Sequence, residues 1–210
     1  FGKGKEFGKG KESGKGSFVA TNKAITGAAT AQQLGQLLIQ LCEESRELDG
    51  VNIATILHRC GRMKHQPPGR VIEYLGGSLQ RGEVTLTAQA VGNALYGLRS
   101  LGDSAEVRGL VAALTPKVQE CSERLKAQEV GNALYGLRQL RNSKEMRLFW
   151  TALHDNVQSG QDKAESQAIS REFWRLQRGN GEYIEHTRTS RNSAEKPVTR
   201  LLAAAPCTLL

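Results

Sequence analysis

Two short runs carry the side chains that could do chemistry. In "AQAVGNALYGLRS" from Ala88 and "AQEVGNALYGLRQ" from Ala127, an amide, a second amide and a phenol recur at fixed spacing: Gln89, Asn93 and Tyr96, then Gln128, Asn132 and Tyr135. Ser100 and Gln139 close the two sets. At 100° per residue each set forms one narrow stripe on a helix. The stripe returns 39 residues later as Gln167, Arg171, Trp174 and Arg178, and 38 residues earlier as Val51, Thr55, His58 and Arg62. Every copy places a ring at the same point. Rings stack on unpaired bases, amides meet Watson–Crick edges, and arginines contact phosphate or stack, which is the chemistry of a single-stranded RNA groove. Packing offers a second explanation for Asn93, Asn132, Tyr96 and Tyr135. A buried ring and an asparagine bridging adjacent repeats would recur for that reason alone.

Catalytic and metal chemistry find no such pattern. His58, His65, His154 and His186 stand at no metal-ligand spacing, the carboxylates scatter, and no serine or cysteine occupies a nucleophile elbow or dyad. No catalytic residue, metal ligand or cofactor is expected. Cys42, Cys60, Cys121 and Cys207 are too far apart for CxxC chemistry and read as reduced thiols in a helical interior.

The elements that hold the stripe are helices. Val91, Ala94, Leu95, Leu98 and Leu101 share the arc opposite the stripe and form its core face. Gly92 and Gly97 would each cost about 1 kcal/mol inside a helix, a cost that close backbone approach between stacked units explains. The intervening segments repeat as well. "DSAEVRGLVAALTPKV" aligns with "NSKEMRLFWTALHDNV", each with the helical period (Val107, Leu110, Val111, Leu114, Val118; Met146, Phe149, Trp150, Leu153, Val157). Asp103 with Glu106 and Asn142 with Glu145 suit capping boxes. Pro116 should shorten or kink its helix, and Gly76 and Gly77 weaken "RVIEYLGGSLQ".

The expectation is therefore an all-α chain, an α-solenoid of about four helix-turn-helix repeats of 38–39 residues. The repeats span residues 23–180, in units at about 31–63, 67–101, 103–140 and 142–179. Residues 1–22, with "FGKGKEFGKGKESGKGSF", form a Gly/Lys-rich low-complexity tail, and residues 181–210 a Ser/Arg-rich one; both are expected to be disordered. A net charge of +8 over 210 residues favours an acidic partner. No apolar run reaches the roughly 20 residues of a membrane helix, so no membrane partner is expected.

The helix "AQEVGNALYGLRQL", preceded by "LVAALTPKVQECSERL", resembles the paired-helix unit of octatricopeptide-repeat proteins. Gln128, Asn132, Leu134 and Leu137 stand as in that pattern, with Val130 in place of Leu, Gly131 of Ala and Tyr135 of Trp. The opening "ITGAATAQQLGQLLIQLCEESRELDGVNIATILHRCGRM" resembles those proteins and the related RAP-domain and FAST-kinase-like proteins. There is also a similarity to the HEAT-like repeats of RNA-editing subunits. The resemblance implies a non-catalytic RNA-binding solenoid in a chloroplast or mitochondrion, acting on transcripts in processing, stability or translation, with protein partners in an organellar RNA complex. A protein-binding scaffold, or a fragment of a longer repeat protein, is the alternative.

Overall fold

The computed structural model of the chain describes residues 12–81, 84–158 and Arg171. Along residues 12–158, helices follow one another among the described residues: α1 (Glu12–Gly27), α2 (Ala31–Glu43), α3 (Gly50–Met63), α4 (Gly69–Gln80), α5 (Ala88–Gly97), α6 (Ala105–Gln119), α7 (Ala127–Leu137) and α8 (Lys144–Gln158), with a 3₁₀ turn at Leu98–Ser100 after α5. Among the described residues there is no strand. The 39-residue offset of the sequence is the offset of the structure, since α5 and α7 open at Ala88 and Ala127, and α6 and α8 at Ala105 and Lys144.

The helices pack in two rows. Each helix lies against the one two places along the chain: α1 on α3, α3 on α5 and α5 on α7 in one row, α2 on α4, α4 on α6 and α6 on α8 in the other. This is the layering of a solenoid, in which a unit touches only its neighbours. The pairs α2–α3, α4–α5 and α6–α7 are the first three expected units, and α8 opens the fourth. The second helix expected for that unit lies outside the described residues, apart from Arg171, which is helical. Helix α1 runs across the boundary drawn at residue 22 and packs on α3, the Asn52 side-chain amide donating to the Phe18 carbonyl at 3.0 Å. Helical structure thus reaches into the segment read as tail, because α3 offers α1 a partner that the short Gly/Lys run lacks alone.

The core falls where the period places it. Val91, Ala94, Leu95, Leu98 and Leu101 are buried, as are Val107, Leu110, Val111, Leu114 and Val118 on α6 and Met146, Phe149, Trp150, Leu153 and Val157 on α8. Cys60 is buried, and burial pushes its thiol up to about 12. Cys42 and Cys121 are only half-buried, at the edge of the core rather than inside it.

Helix ends differ from expectation by one residue. Ser104 and Ser143, rather than Asp103 and Asn142, accept the amides of Val107 and Met146. The displaced residues take arginines instead: Arg108 pairs with Asp103 at 3.2 Å and Arg147 donates to Asn142 at 3.1 Å. A serine hydroxyl on a short stem reaches the free amide, while the longer side chain before it reaches the arginine one turn into the helix. Glu106 and Glu145 then stand two residues after the cap instead of three, out of register for the expected capping boxes, and each is held below the usual carboxylate range first by its serine's hydroxyl. Pro116 sits in the last turn of α6, so the helix ends soon after it. The Gly76–Gly77 pair leaves α4 unbroken, and Gly76 faces the backbone of Leu110 on α6.

Candidate nucleic-acid interface

Helices α3, α5 and α7 set their stripes side by side, because two glycines let the backbones touch. A β-carbon on Gly97 would overlap the Leu57 carbonyl oxygen on α3, and one on Gly136 would overlap the Leu95 carbonyl oxygen on α5. Those contacts fix the spacing between the stripes, and the rings fall into a ladder. His58 and Tyr96 have centroids 5.3 Å apart at 44°, and Tyr96 and Tyr135 stack at 5.9 Å and 25°. A base slid between two rings would need two van der Waals separations, about 7 Å. The ladder is closed to bases at both steps, so Tyr96 acts in packing between units, while Tyr135, the last ring of the ladder among the described residues, is 36% exposed.

Two arginines that the stripe pattern did not pick out complete the site. Arg99 lies over both tyrosines, 4.9 Å from the Tyr96 centroid and 4.8 Å from that of Tyr135, and donates to the Tyr96 hydroxyl at 2.6 Å. Arg138 lies 4.3 Å from the Tyr135 centroid. The signal was present in the repeated "YGLR", where ring and arginine are three residues apart and so share a helix face. A drawing by angle alone misses it, because the long guanidinium stem folds back over the ring.

The other stripe residues divide. Gln89, Gln128, Gln139, Arg62 and Arg171 are exposed, and Asn93 and Asn132 are half-buried. Two hydroxyls are already engaged: Thr55 donates to the Val51 carbonyl at 2.7 Å, and Ser100 to the carbonyls of Gly97 at 3.2 Å and His65 at 3.4 Å. Ser100 therefore ties the turn after α5 to the loop after α3 instead of facing out with Gln139. Gln167, Trp174 and Arg178 lie outside the described residues.

Charge is segregated between α3, α5 and α7 and the other row. Helices α3, α5 and α7 and their C-terminal turns carry Arg59, Arg62, Arg99 and Arg138 against a single carboxylate, Glu129, which is packed over Gly92. The other row mixes signs, with Glu43, Glu73, Glu106, Glu145 and Asp155 among its basic residues. Among the described residues, no carboxylate is within ion-pair distance of Arg62, Arg99 or Arg138. No group of three metal-ligating side chains occurs among them, and none of their helices is long and apolar enough to cross a membrane.

Burial, then the charges of Arg62 and Arg59, hold the His58 imidazole below its usual range, and burial does the same to His65. Both favour the neutral form in the fold, so protonation favours the unfolded chain. Stability should be full above the ordinary histidine value of 6.5 and fall as pH drops below it. The lowered carboxylates add their loss only below their ordinary value of 4.5. Melting temperatures at pH 7.5, 6.0 and 5.0 check this, with a shallower fall expected for a His58→Gln, His65→Gln variant. No family model, curated protein or solved structure matches this chain.

Proposed function

We propose that the α3, α5, α7 row binds single-stranded RNA without catalysis, and that the chain serves organellar transcripts in processing, stability or translation. The observation that carries the RNA reading is the charge segregation: among the described residues, Arg62, Arg99 and Arg138 have no carboxylate within ion-pair distance, on the same face that carries the rings and exposed amides. Unneutralised guanidinium groups beside aromatic faces suit a flexible polyanion with planar bases. The Lys-rich segment at residues 1–18 adds sequence-independent phosphate attraction. The organellar setting rests on the resemblance to octatricopeptide-repeat proteins.

The full chain should raise the anisotropy of a fluorescein-labelled single-stranded RNA at low salt, with affinity falling steeply as salt rises. Each lost phosphate contact removes roughly 0.7 from the slope of log affinity against log salt on a single strand. An Arg62→Gln, Arg99→Gln, Arg138→Gln variant, folded by circular dichroism, should therefore lose about 2 from that slope. An unchanged slope would remove this face from the interface.

A protein-binding scaffold is the second reading, and one feature favours it. Val19 on α1 and Val51 on α3, two helices in contact, are 70% and 56% exposed. No RNA binding at low salt, with a stoichiometric protein partner lost on Val19→Ser, Val51→Ser, would support it.

A further inference from the structure

Helix α1 stands before α3 in its row as α3 stands before α5, but the joint is built differently. Where α5 and α7 set Gly97 and Gly136 against the carbonyl oxygens of Leu57 and Leu95, the residue 38 places before Gly97 is Arg59. A guanidinium thus replaces backbone contact. Arg59 donates to the Ala28 carbonyl just past the end of α1, and Asn52, two turns earlier on the same face of α3, donates to the Phe18 carbonyl. Both bonds hold α1 by its main chain.

These anchors are incompletely satisfied. Asn52 is only 1% exposed, yet its Oδ1 has no hydrogen-bond partner among the described residues, and neither has the buried Nε of Arg59 or the buried Oδ1 of Asn22 on α1. No such atom lies on α5 or α7 among the described residues. Each costs at least what a hydrogen bond gains, because water is lost and nothing replaces it. Little apolar burial offsets that cost. Among the α1 residues whose side chains are described, Ile25 is the one buried apolar side chain, while Phe18 is half-buried and Val19 exposed. Gly16 lies inside α1 with nothing within 4 Å of a β-carbon there, so it weakens the helix without serving a close approach.

We infer that α1 is a displaceable cap on α3, which opens separately from the rest of the stack and is driven off by single-stranded RNA. Lifting α1 returns the three polar atoms to water and releases Arg59 from the Ala28 carbonyl. Arg59 and Arg62, three residues apart, then share a helix face as neighbouring phosphate contacts. A ligand shifts such an equilibrium only by its difference in affinity for the two states, and a polyanion gains this guanidinium only in the open one. The release, unlike the opening itself, rests on the RNA reading above.

The test is hydrogen exchange on the full chain, free and with a saturating mixed-sequence single-stranded RNA at low salt. In the free protein the α1 amides should exchange faster than those of α3 and α5 and respond less to mild urea, since their opening exposes less surface. RNA should lower the protection of α1 further while α5 keeps its own. Gly16→Ala should raise α1 protection roughly 5-fold, the value of one Gly-to-Ala change in a helix, and weaken RNA binding by up to the same factor, because RNA must then open a tighter cap. Arg59→Gln should lower α1 protection in the free protein, and RNA should change it little further. Protection of α1 equal to that of α3 in the free protein would overturn the cap. RNA binding that leaves α1 protection unchanged, or raises it, would overturn the release and leave the RNA reading standing. No RNA binding at low salt would sink the RNA reading and the release with it, while the exchange of free α1 still decides the cap.

Discussion

Gly136→Ala and Gly97→Ala should each destabilise the protein by about 3 kcal/mol or more, whereas Gly131→Ala and Gly109→Ala should leave it as stable or up to about 1 kcal/mol more stable. All four glycines lie inside helices, so intrinsic propensity favours alanine at each. The difference lies in what the new methyl meets. At Gly97 and Gly136 it would overlap a carbonyl oxygen of the neighbouring helix, Leu57 or Leu95, which cannot move without shifting its whole helix. At Gly109 and Gly131 nothing among the described residues lies within 4 Å. Urea unfolding of the four variants measures this directly. A Gly136→Ala protein as stable as the parent would mean that α5 and α7 do not approach as closely as described, and the ring ladder would lose its cause.

Phe149→Ala should cost about 3–5 kcal/mol, the range for removing a buried aromatic ring, and the loss should be local. Phe149 is fully buried on α8, which packs on α6 and is the last helix of its row among the described residues. In a stack where each unit touches only its neighbours, an end unit can open while the others hold. Hydrogen exchange should therefore show α8 losing protection first, then α6, with α3 and α5 close to the parent. Leu95→Ala offers the contrast. Leu95 is fully buried on α5, between α3 and α7, so its cavity should lower protection on both sides. Parallel loss over all helices in Phe149→Ala would show that the stack unfolds as one unit.

The helices and their buried faces were legible in the chain because they depend on local period. Leu95, Val111 and Phe149 are buried where a 3.6-residue repeat places them, and the 39-residue offset carries through to the helix starts. The caps were legible only to within a residue. Both members of Asp103–Ser104 and of Asn142–Ser143 can cap, and the choice depended on Arg108 and Arg147 drawing the first member away. Helix α1 was hidden for a different reason. Its Gly/Lys-rich start has little helical signal, and its order comes from packing on α3.

The stripe shows the same division. That Gln89, Asn93 and Tyr96 share a face with their copies follows from spacing along one helix, which any repeat of this period would impose. Whether the rings are free, stacked on each other or buried depends on the distance between helices far apart in the chain. The glycine contacts set that distance, bringing His58, Tyr96 and Tyr135 within 6 Å of one another in turn and Arg99 across two of them. Local periodicity thus defined the face, and backbone contact between neighbouring units brought its rings into a ladder.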